Sequence, residues 1–182
     1  MSNIKAGDVE LYSLKELRSK NQPLYELSLG WIKSMRRKIN GENGESFVKW
    51  ILVNIERNEP FDTYVLFYRK KEEVIAIGSI VPDDQNTGKF HKLKGIWIGG
   101  INVKNNYRGK GVGNILVRNI VDLIHNYTIK IRTDIKINLF SNNPIAIHIY
   151  RKYGFKRNNK VTVYHNREKN YVYSMIMKYN FL

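Results

Sequence analysis

Apolar positions recur at two different periods along this chain, and the switches between them divide it into elements. Val9 to Tyr12 is short and alternating, which predicts a strand. Ser13-Leu14-Lys15-Glu16 is a capping-box pattern, a hydroxyl followed three residues later by a glutamate, and opens a short helix. A second helix is expected from Pro23, whose fixed φ suits a first helical turn, with Leu24, Leu27, Trp31, Met35 and Ile39 on one face. Gly41-Glu42-Asn43-Gly44 breaks it. A third helix follows, with Phe47, Val48, Ile51, Leu52 and Ile55 as its buried stripe, stopped near Pro60.

The period then shortens. Thr63–Tyr68 and Val74–Val81 are β-rich runs around the charged turn Lys70-Lys71-Glu72-Glu73, an antiparallel hairpin by pattern. A polar loop leads to a longer strand at 92–103. Val112, Leu116, Ile120, Leu123 and Tyr127 return to helical spacing. Ile131–Phe140 alternates as a strand, Pro144–Tyr153 is a short helix opened by proline, and Phe155–Val163 and Tyr171–Tyr179 are strands around the turn HNREKN. The expected string is β-α-α-α-β-β-β-α-β-α-β-β, a mixed sheet with helices on its faces. No linker, repeat or low-complexity tract divides it, so residues 1–182 are expected to form a single domain.

Composition narrows the chemistry. The absence of cysteine excludes a disulfide framework, thiol catalysis and any Cys-ligated metal, and four histidines without ligand spacing leave no expectation of a metal site. No apolar run is long enough to span a bilayer, so a soluble, cytoplasmic protein with no membrane partner is expected. The net charge is +15 and is lopsided: residues 1–91 carry 14 basic and 13 acidic side chains, residues 92–182 carry 17 and 3. Such a field attracts polyanions. Part of it matches a general bias, since the chain holds 20 Lys, 21 Asn and 22 Ile.

Arg108-Gly109-Lys110-Gly111-Val112-Gly113 joins the strand at 92–103 to an amphipathic helix. Glycines let the backbone turn tightly and approach a ligand, and the first N–H groups of a helix favour anions. A P-loop is excluded because no Lys-Ser or Lys-Thr follows these glycines. A dinucleotide fingerprint fails too, because Asn114 replaces its third glycine and Asp134 lies early in the next strand instead of at its end. The remaining reading is a pyrophosphate turn of another kind.

YRGKGVG followed by NNPIAIHIYRKYGF resembles the Gcn5-related N-acetyltransferase (GNAT) superfamily. In that family R/QxxGxG/A cradles the pyrophosphate of acetyl-coenzyme A, and NxxAxxxYxxxGF lies near the pantetheine arm and the thiol. The second motif falls on Asn143, Ala146, Tyr150, Gly154 and Phe155. The resemblance covers about residues 63–179 and implies a mixed, mostly antiparallel central sheet of about seven strands flanked by helices. It implies an acetyl-CoA-binding core at about 92–155 and acceptor-site helices at about 13–60. Residue by residue, it implies that Ile101, Asn102 and Val103 meet the pantetheine with backbone groups, as an added strand would. Arg108, Gly109, Lys110, Gly111, Val112, Gly113 and Asn114 would hold the pyrophosphate, and Asn143 and Ala146 would lie along the pantetheine. Tyr150 would protonate the departing thiolate.

Two positions depart from the family. The strand before the pyrophosphate turn often carries a carboxylate base; here that position is Trp97, with Gly99 two residues on, and a second frequent carboxylate is replaced by Asn138. A lysine-like amine with pKa ~10.4 must lose about 4.6 kcal/mol to be neutral at pH 7, and an α-amine with pKa ~7.8 only about 1 kcal/mol. A site without a base therefore favours a weakly basic acceptor or a water chain. Gly99-Gly100 reads either as a bulge or as a cleft floor stripped of side chains. Tyr173 and Met175 are placed to reach the same cleft or the core.

The expected activity is acetyl-CoA-dependent N-acetylation of an unidentified amine acceptor: a small molecule, an amino sugar or a protein N-terminus. The alternative is a non-catalytic GNAT-like module whose basic C-terminal half binds nucleic acid or another acidic partner. Exposed strand edges make a homodimer an expectation as well.

Overall fold

Seven extended segments assemble into one mixed sheet. The computed structural model describes residues 4–34, 48–49, 51–52, 60–82, 95–165 and 168–179. Its strands are β1 (Val9–Ser13), β2 (Thr63–Tyr68), β3 (Glu73–Pro82), β4 (Ile96–Val103), β5 (Ile135–Ser141), β6 (Lys156–His165) and β7 (Glu168–Tyr179). They lie in the order β1-β2-β3-β4-β5-β7-β6. Every neighbouring pair is antiparallel except β4 and β5, which run parallel with helix α3 (Val112–Ile131) between them in the chain.

Alternation along the strands sends side chains to two unlike faces. On one, Leu66, Ile80, Ile98, Ile137, Leu139 and Met175 pack with Leu116, Ile120 and Ile124 of α3 and with Ile147 and Tyr150 of α4 (Pro144–Lys152). On the other, Val65, Val74 and Ile77 meet Leu14 and Leu17 of α1 (Leu14–Lys20) and Leu24, Leu29 and Ile32 of α2 (Gln22–Ser34). The expected capping signal at α1 is real, because Ser13 Oγ accepts from Glu16 N–H at 3.0 Å. Asp62 adds a second anchor there: its Oδ2 accepts from Lys15 N–H at 3.0 Å and ties the helix to the start of β2.

Several boundaries move. Helix α2 begins at Gln22 with Asn21 Oδ1 accepting from Leu24 N–H at 3.1 Å, so proline sits second and not first. Leu27, expected on its buried face, is 48% exposed; Leu24, Tyr25, Ser28, Leu29 and Ile32 form that face instead. The expected register ran a residue or two astray because apolar residues on α2 are not confined to one stripe. Met35, Ile39, Phe47 and Ile55 lie outside the described residues. Residues 48–49 and 51–52 are helical, with Val48 and Ile51 buried but Leu52 exposed. Helix α3 continues to Ile131 and ends where Arg132 takes a left-handed conformation (φ 51°), so the strand expected from Ile131 starts at Ile135. β6 and β7 extend into the turn expected at HNREKN, reaching His165 and Glu168. The part of the 92–103 strand before Gly95 lies outside the described residues.

Candidate active site

The parallel pair at the centre of the sheet is joined over a very short stretch. β4 and β5 are in register only at Ile96↔Ile137 and Trp97↔Asn138. Beyond that point Ile98–Val103 and Leu139–Ser141 continue without pairing to each other, so the sheet carries an opening within it. A bulge in β4 lies beside the opening. Between Ile77↔Asn102 and Ser79↔Gly99 the register shifts, and Gly100 has φ 63°, a left-handed value that favours glycine. The Gly99-Gly100 pair is thus a bulge.

The same stretch determines which backbone groups face the opening. Lys104 N–H donates to Ile75 O of β3 at 2.9 Å. Backbone groups alternate sides along a strand, so those of Val103 point the other way, toward the opening. Arg108 confirms that direction: its Nε donates to Val103 O at 3.0 Å, and its guanidinium also reaches Asn102 Oδ1 at 3.5 Å. Val103 therefore offers its N–H to a ligand while its carbonyl is already held. Arg108, expected to supply charge at a pyrophosphate, also closes the end of β4.

Beyond β4 the chain turns through Gly109 (φ 73°) and Gly111 (φ 83°) into α3. Gly111 is the N-cap and provides no side-chain cap, and the N–H groups of Val112, Gly113 and Asn114 open the helix. Those donors have no partner within the helix and sit at the positive end of its dipole, which makes a site for an anion. The turn is braced from behind by Ile4, whose N–H donates to Lys110 O at 3.1 Å. Lys110 Nζ stands 5.5 Å above the Tyr107 ring. The Tyr107 hydroxyl donates to Glu73 Oε1, and Lys104 Nζ binds Glu73 Oε2 at 3.1 Å. Burial alone would raise the Glu73 carboxyl, but Tyr107 and Lys104 outweigh it and hold the group below its usual value.

Helix α4 presents the second motif. Asn143 is its N-cap, with Oδ1 accepting from Ile145 N–H at 2.9 Å and Ala146 N–H at 3.3 Å. Its side-chain oxygen is thereby committed to the helix. Ala146 is half-buried, and Ile149 lies against Gly113, so α4 touches the first turn of α3. Tyr153 strengthens that junction by donating to Asn114 O at 3.2 Å. Tyr150 is 5% exposed and stacks edge-on with Phe155 at 6.0 Å between ring centroids. Burial pushes its hydroxyl up to about 12, so it is a protonated donor across the physiological range. No group among the described residues hydrogen-bonds that hydroxyl.

On the opposite face of the same opening stand the three residues expected to meet an acceptor. Trp97 packs on Phe140 at 4.9 Å between centroids, Asn138 is fully buried, and Gly99 contributes no side chain. Met175 does not join them: it is fully buried in the core beneath α3 and α4. Tyr173 packs against that same core, with the Arg157 guanidinium 3.7 Å from its ring. Among the described residues no cluster of three potential metal ligands occurs, and no helix is long and apolar enough to cross a membrane.

Sequence reasoning missed the groups that hold the site in place: Asn143 as a cap, Tyr153 on Asn114, Ile4 behind the turn and Glu73 under Tyr107. Only the cap had a local signal, an asparagine directly before proline at a helix start.

Residues 19–155 match the family model described as Acetyltransferase (GNAT) family, and the chain belongs to that family. No curated protein sequence matches it. Among solved structures it is similar to a chain of the NatC complex bound to Gag peptide and CoA, with a TM-score of 0.65, 17% identity and coverage of 95% of this chain and 99% of that one. It is also similar to the ribosomal-protein-S18-alanine N-acetyltransferase from Escherichia coli, at TM-score 0.60, 13% identity and 96% coverage of each. A third is spermidine N-acetyltransferase from Vibrio cholerae in complex with CoA and spermine, at TM-score 0.58 and 16% identity, covering 94% of this chain and 96% of that one. At these identities the likeness is one of fold.

Proposed function

We propose that this chain transfers the acetyl group of acetyl-CoA to the amine of an acceptor bound on the α1/α2 face of the sheet. The observation that carries this reading is the opening between β4 and β5, continuous with the glycine turn at 108–114. Pantetheine would lie along Ile101–Val103 and take the Val103 N–H, in the place of a missing strand. The N–H groups of Val112, Gly113 and Asn114 would hold the pyrophosphate, with Lys110 and the remaining Arg108 N–H groups adding charge. Asn143 and Ala146 would line the arm. On this reading the core at about 92–155 handles the cofactor, and the helices within about 13–60 frame the acceptor.

The attacking amine forms the new C–N bond to the thioester carbonyl carbon, the C–S bond breaks, and the amine gives one proton to water, from which the Tyr150 phenolate regains the proton it gives up. Tyr150 donates its proton to the sulfur. A thiol ionises near pH ~8.5, so thiolate is a fair leaving group and this acid assists without being indispensable. No carboxylate occupies Trp97, Gly99 or Asn138, which favours an acceptor with a weakly basic amine. The nucleic-acid-binding alternative gains no support, since the family and two of the structures named above are acetyltransferases.

Calorimetry with acetyl-CoA, followed by a screen of peptides, amino sugars and polyamines for CoA release, tests the proposal. Saturable binding and acceptor-dependent release are expected. Absence of acetyl-CoA binding overturns it.

A further inference from the structure

Residues 92–182 carry 17 basic and 3 acidic side chains, more positive charge than a pyrophosphate turn calls for. The sheet gathers three of these cations on one face. Strand side chains alternate between faces, and directly paired residues share one. Ile135, Ile137, Met175 and Met177 lie in the layer beneath α3 and α4, so Lys136 and Lys178 project from the α1/α2 face. They stand directly opposite each other, Lys136↔Lys178. The pairings Asn138↔Ile176 and Lys156↔Ile176 set Lys156 on that face too, diagonal to Lys178. Lys156 and Lys178 are exposed, and Lys136 and Ile176 are half-buried. None of the three lysines forms an ion pair among the described residues. The nearest carboxylate to them in the chain is Asp134, two residues before Lys136.

Like charges placed directly opposite on a sheet repel and destabilise it. On an edge strand, lysines ward off foreign strands, which accounts for Lys156 on β6. That role does not extend to Lys136 and Lys178, because β5 and β7 are interior strands in the order β4-β5-β7-β6. Helix packing does not call for them either, since α1 and α2 rest on β1, β2 and β3.

We propose that Lys136, Lys178 and Lys156 form a docking patch for an acidic segment of a peptide acceptor, a few residues beyond its reacting α-amine. This rests on the transferase reading above and names the class of acceptor it takes. The patch shares its face with Trp97 and Asn138, the rung at which β4 and β5 part. From Phe140, beside the opening, to Lys136 is four residues of β5, about 13 Å, the reach of about four residues of extended peptide. Carboxylates at about the fourth to sixth residue then lie over the lysines while the α-amine stays at the opening. Ile176, between Asn138 and Lys156 in one row, offers apolar surface along the way. A polyamine is itself cationic and is repelled by the same patch.

The test compares two heptapeptide amides, Ala-Gly-Ser-Gly-Glu-Glu-Gly and its Gln-Gln counterpart, in the full chain and in Lys178→Glu and Lys136→Gln. At low salt, wild type should turn over the Glu peptide with kcat/KM about tenfold above the Gln peptide, chiefly through KM. The ratio should shrink toward one as salt rises to ~0.5 M. Lys178→Glu should abolish it while leaving the Gln peptide and acetyl-CoA affinity alone, and should raise the thermal midpoint, because an opposite-charge pair replaces a like-charge one. Lys136→Gln should fall between. Equal turnover of the two peptides by wild type, a preference that survives Lys178→Glu, or a lowered midpoint in that variant overturns the proposal. Tighter binding of a short single-stranded oligonucleotide than of the Glu peptide, lost in Lys178→Glu, overturns it in favour of a nucleic acid. Turnover of neither peptide with acetyl-CoA still bound also overturns it, whereas failure to bind acetyl-CoA overturns the transferase reading underneath.

Discussion

The two faces of the sheet use the same strands for opposite purposes. Beneath α3 and α4 the inward residues are almost wholly aliphatic, and Ile, Leu, Val and Met fill the layer from Leu66 to Met177. Toward α1 and α2 the aliphatic contact is confined to Val65, Val74 and Ile77, while the row that crosses the opening is Thr63, Ser79, Gly99, Phe140 and Ser174. One face is built to hold helices rigidly against the strands. The other keeps buried polar groups at the spot where the strands part. Adjacent residues of a strand serve each, so the contrast between the aliphatic and the polar layer runs through the thickness of the sheet and not along the chain.

Substitutions that strike one face and not the other would sharpen or break this contrast. The largest effect is expected at the junction itself. Gly95 has φ 138° and a Cβ there would strike the Lys136 carbonyl oxygen of β5. Gly95→Ala should cost about 3 kcal/mol of stability, read from denaturant midpoints, because both backbone strain and a backbone clash oppose it. A smaller loss than about 1 kcal/mol would show that the β4–β5 junction yields easily.

Next is Tyr150→Phe, which removes a donor and keeps the ring against Phe155. A fall in kcat of about 10²-fold is expected with acetyl-CoA affinity nearly unchanged, and unchanged turnover would remove Tyr150 from the reaction. The pH dependence follows from the burial of Tyr150, which raises its hydroxyl from 10.0 to about 12. A raised pKa contributes stability in full below the unfolded value, and that contribution is lost as pH climbs through the folded one. The thermal midpoint of wild type should therefore decline between pH ~10 and ~12 more than that of Tyr150→Phe. The activity profile should show no descending limb from this residue below pH ~11.

Asn143 separates a cap from a ligand contact. Asn143→Ala should lose about 1 kcal/mol through the unmet N–H groups of Ile145 and Ala146. Asn143→Asp keeps that cap but loses the amide nitrogen, so stability should hold while acetyl-CoA affinity drops several-fold. The smallest effect is expected at Gly113, where an added Cβ would meet Ile149 Cδ1 at 3.5 Å and Val103 Cγ2 at 3.8 Å, both ordinary contacts. Gly113→Ala should fold with unchanged or slightly higher stability, given alanine's better helix propensity. A large loss of acetyl-CoA binding would mean that the ligand's backbone approach needs glycine there.

The contrast between the faces also explains what could be read beforehand. The glycine turn and the start of α4 were legible because their determinants are local: glycines at 109 and 111, asparagine and proline at 143 and 144, and Tyr150 all lie within two short runs. Element order was legible from periodicity, whereas Gly99-Gly100 read equally as a bulge or a cleft floor until the register of β3 and β4 made it a bulge. The grouping of Lys136, Lys156 and Lys178 was not legible, because they sit on three strands; only the registers Lys136↔Lys178 and Lys156↔Ile176 bring them onto one face. Leu27 and Ile131 misled for a simpler reason. An apolar residue at the edge of a helical stripe, or at a helix end, fits two spacings equally well. The bond from Arg108 to the Val103 carbonyl was not legible, since it depends on how β4 ends.

An open sheet ordinarily presents two edges to its surroundings, here β1 and β6. The outer β6 edge carries the exposed cations Lys156, Arg157 and Lys160 and an irregularity between Arg157 and Lys160, features that discourage a foreign strand from docking. The gap beyond Trp97 adds two more edges in the interior, Ile98–Val103 and Leu139–Ser141, and neither bears a charged side chain. The β6 rim is thus guarded where the edges at the centre are not. A ligand lying in the gap would cover those two inner edges and so shield them from pairing with another chain.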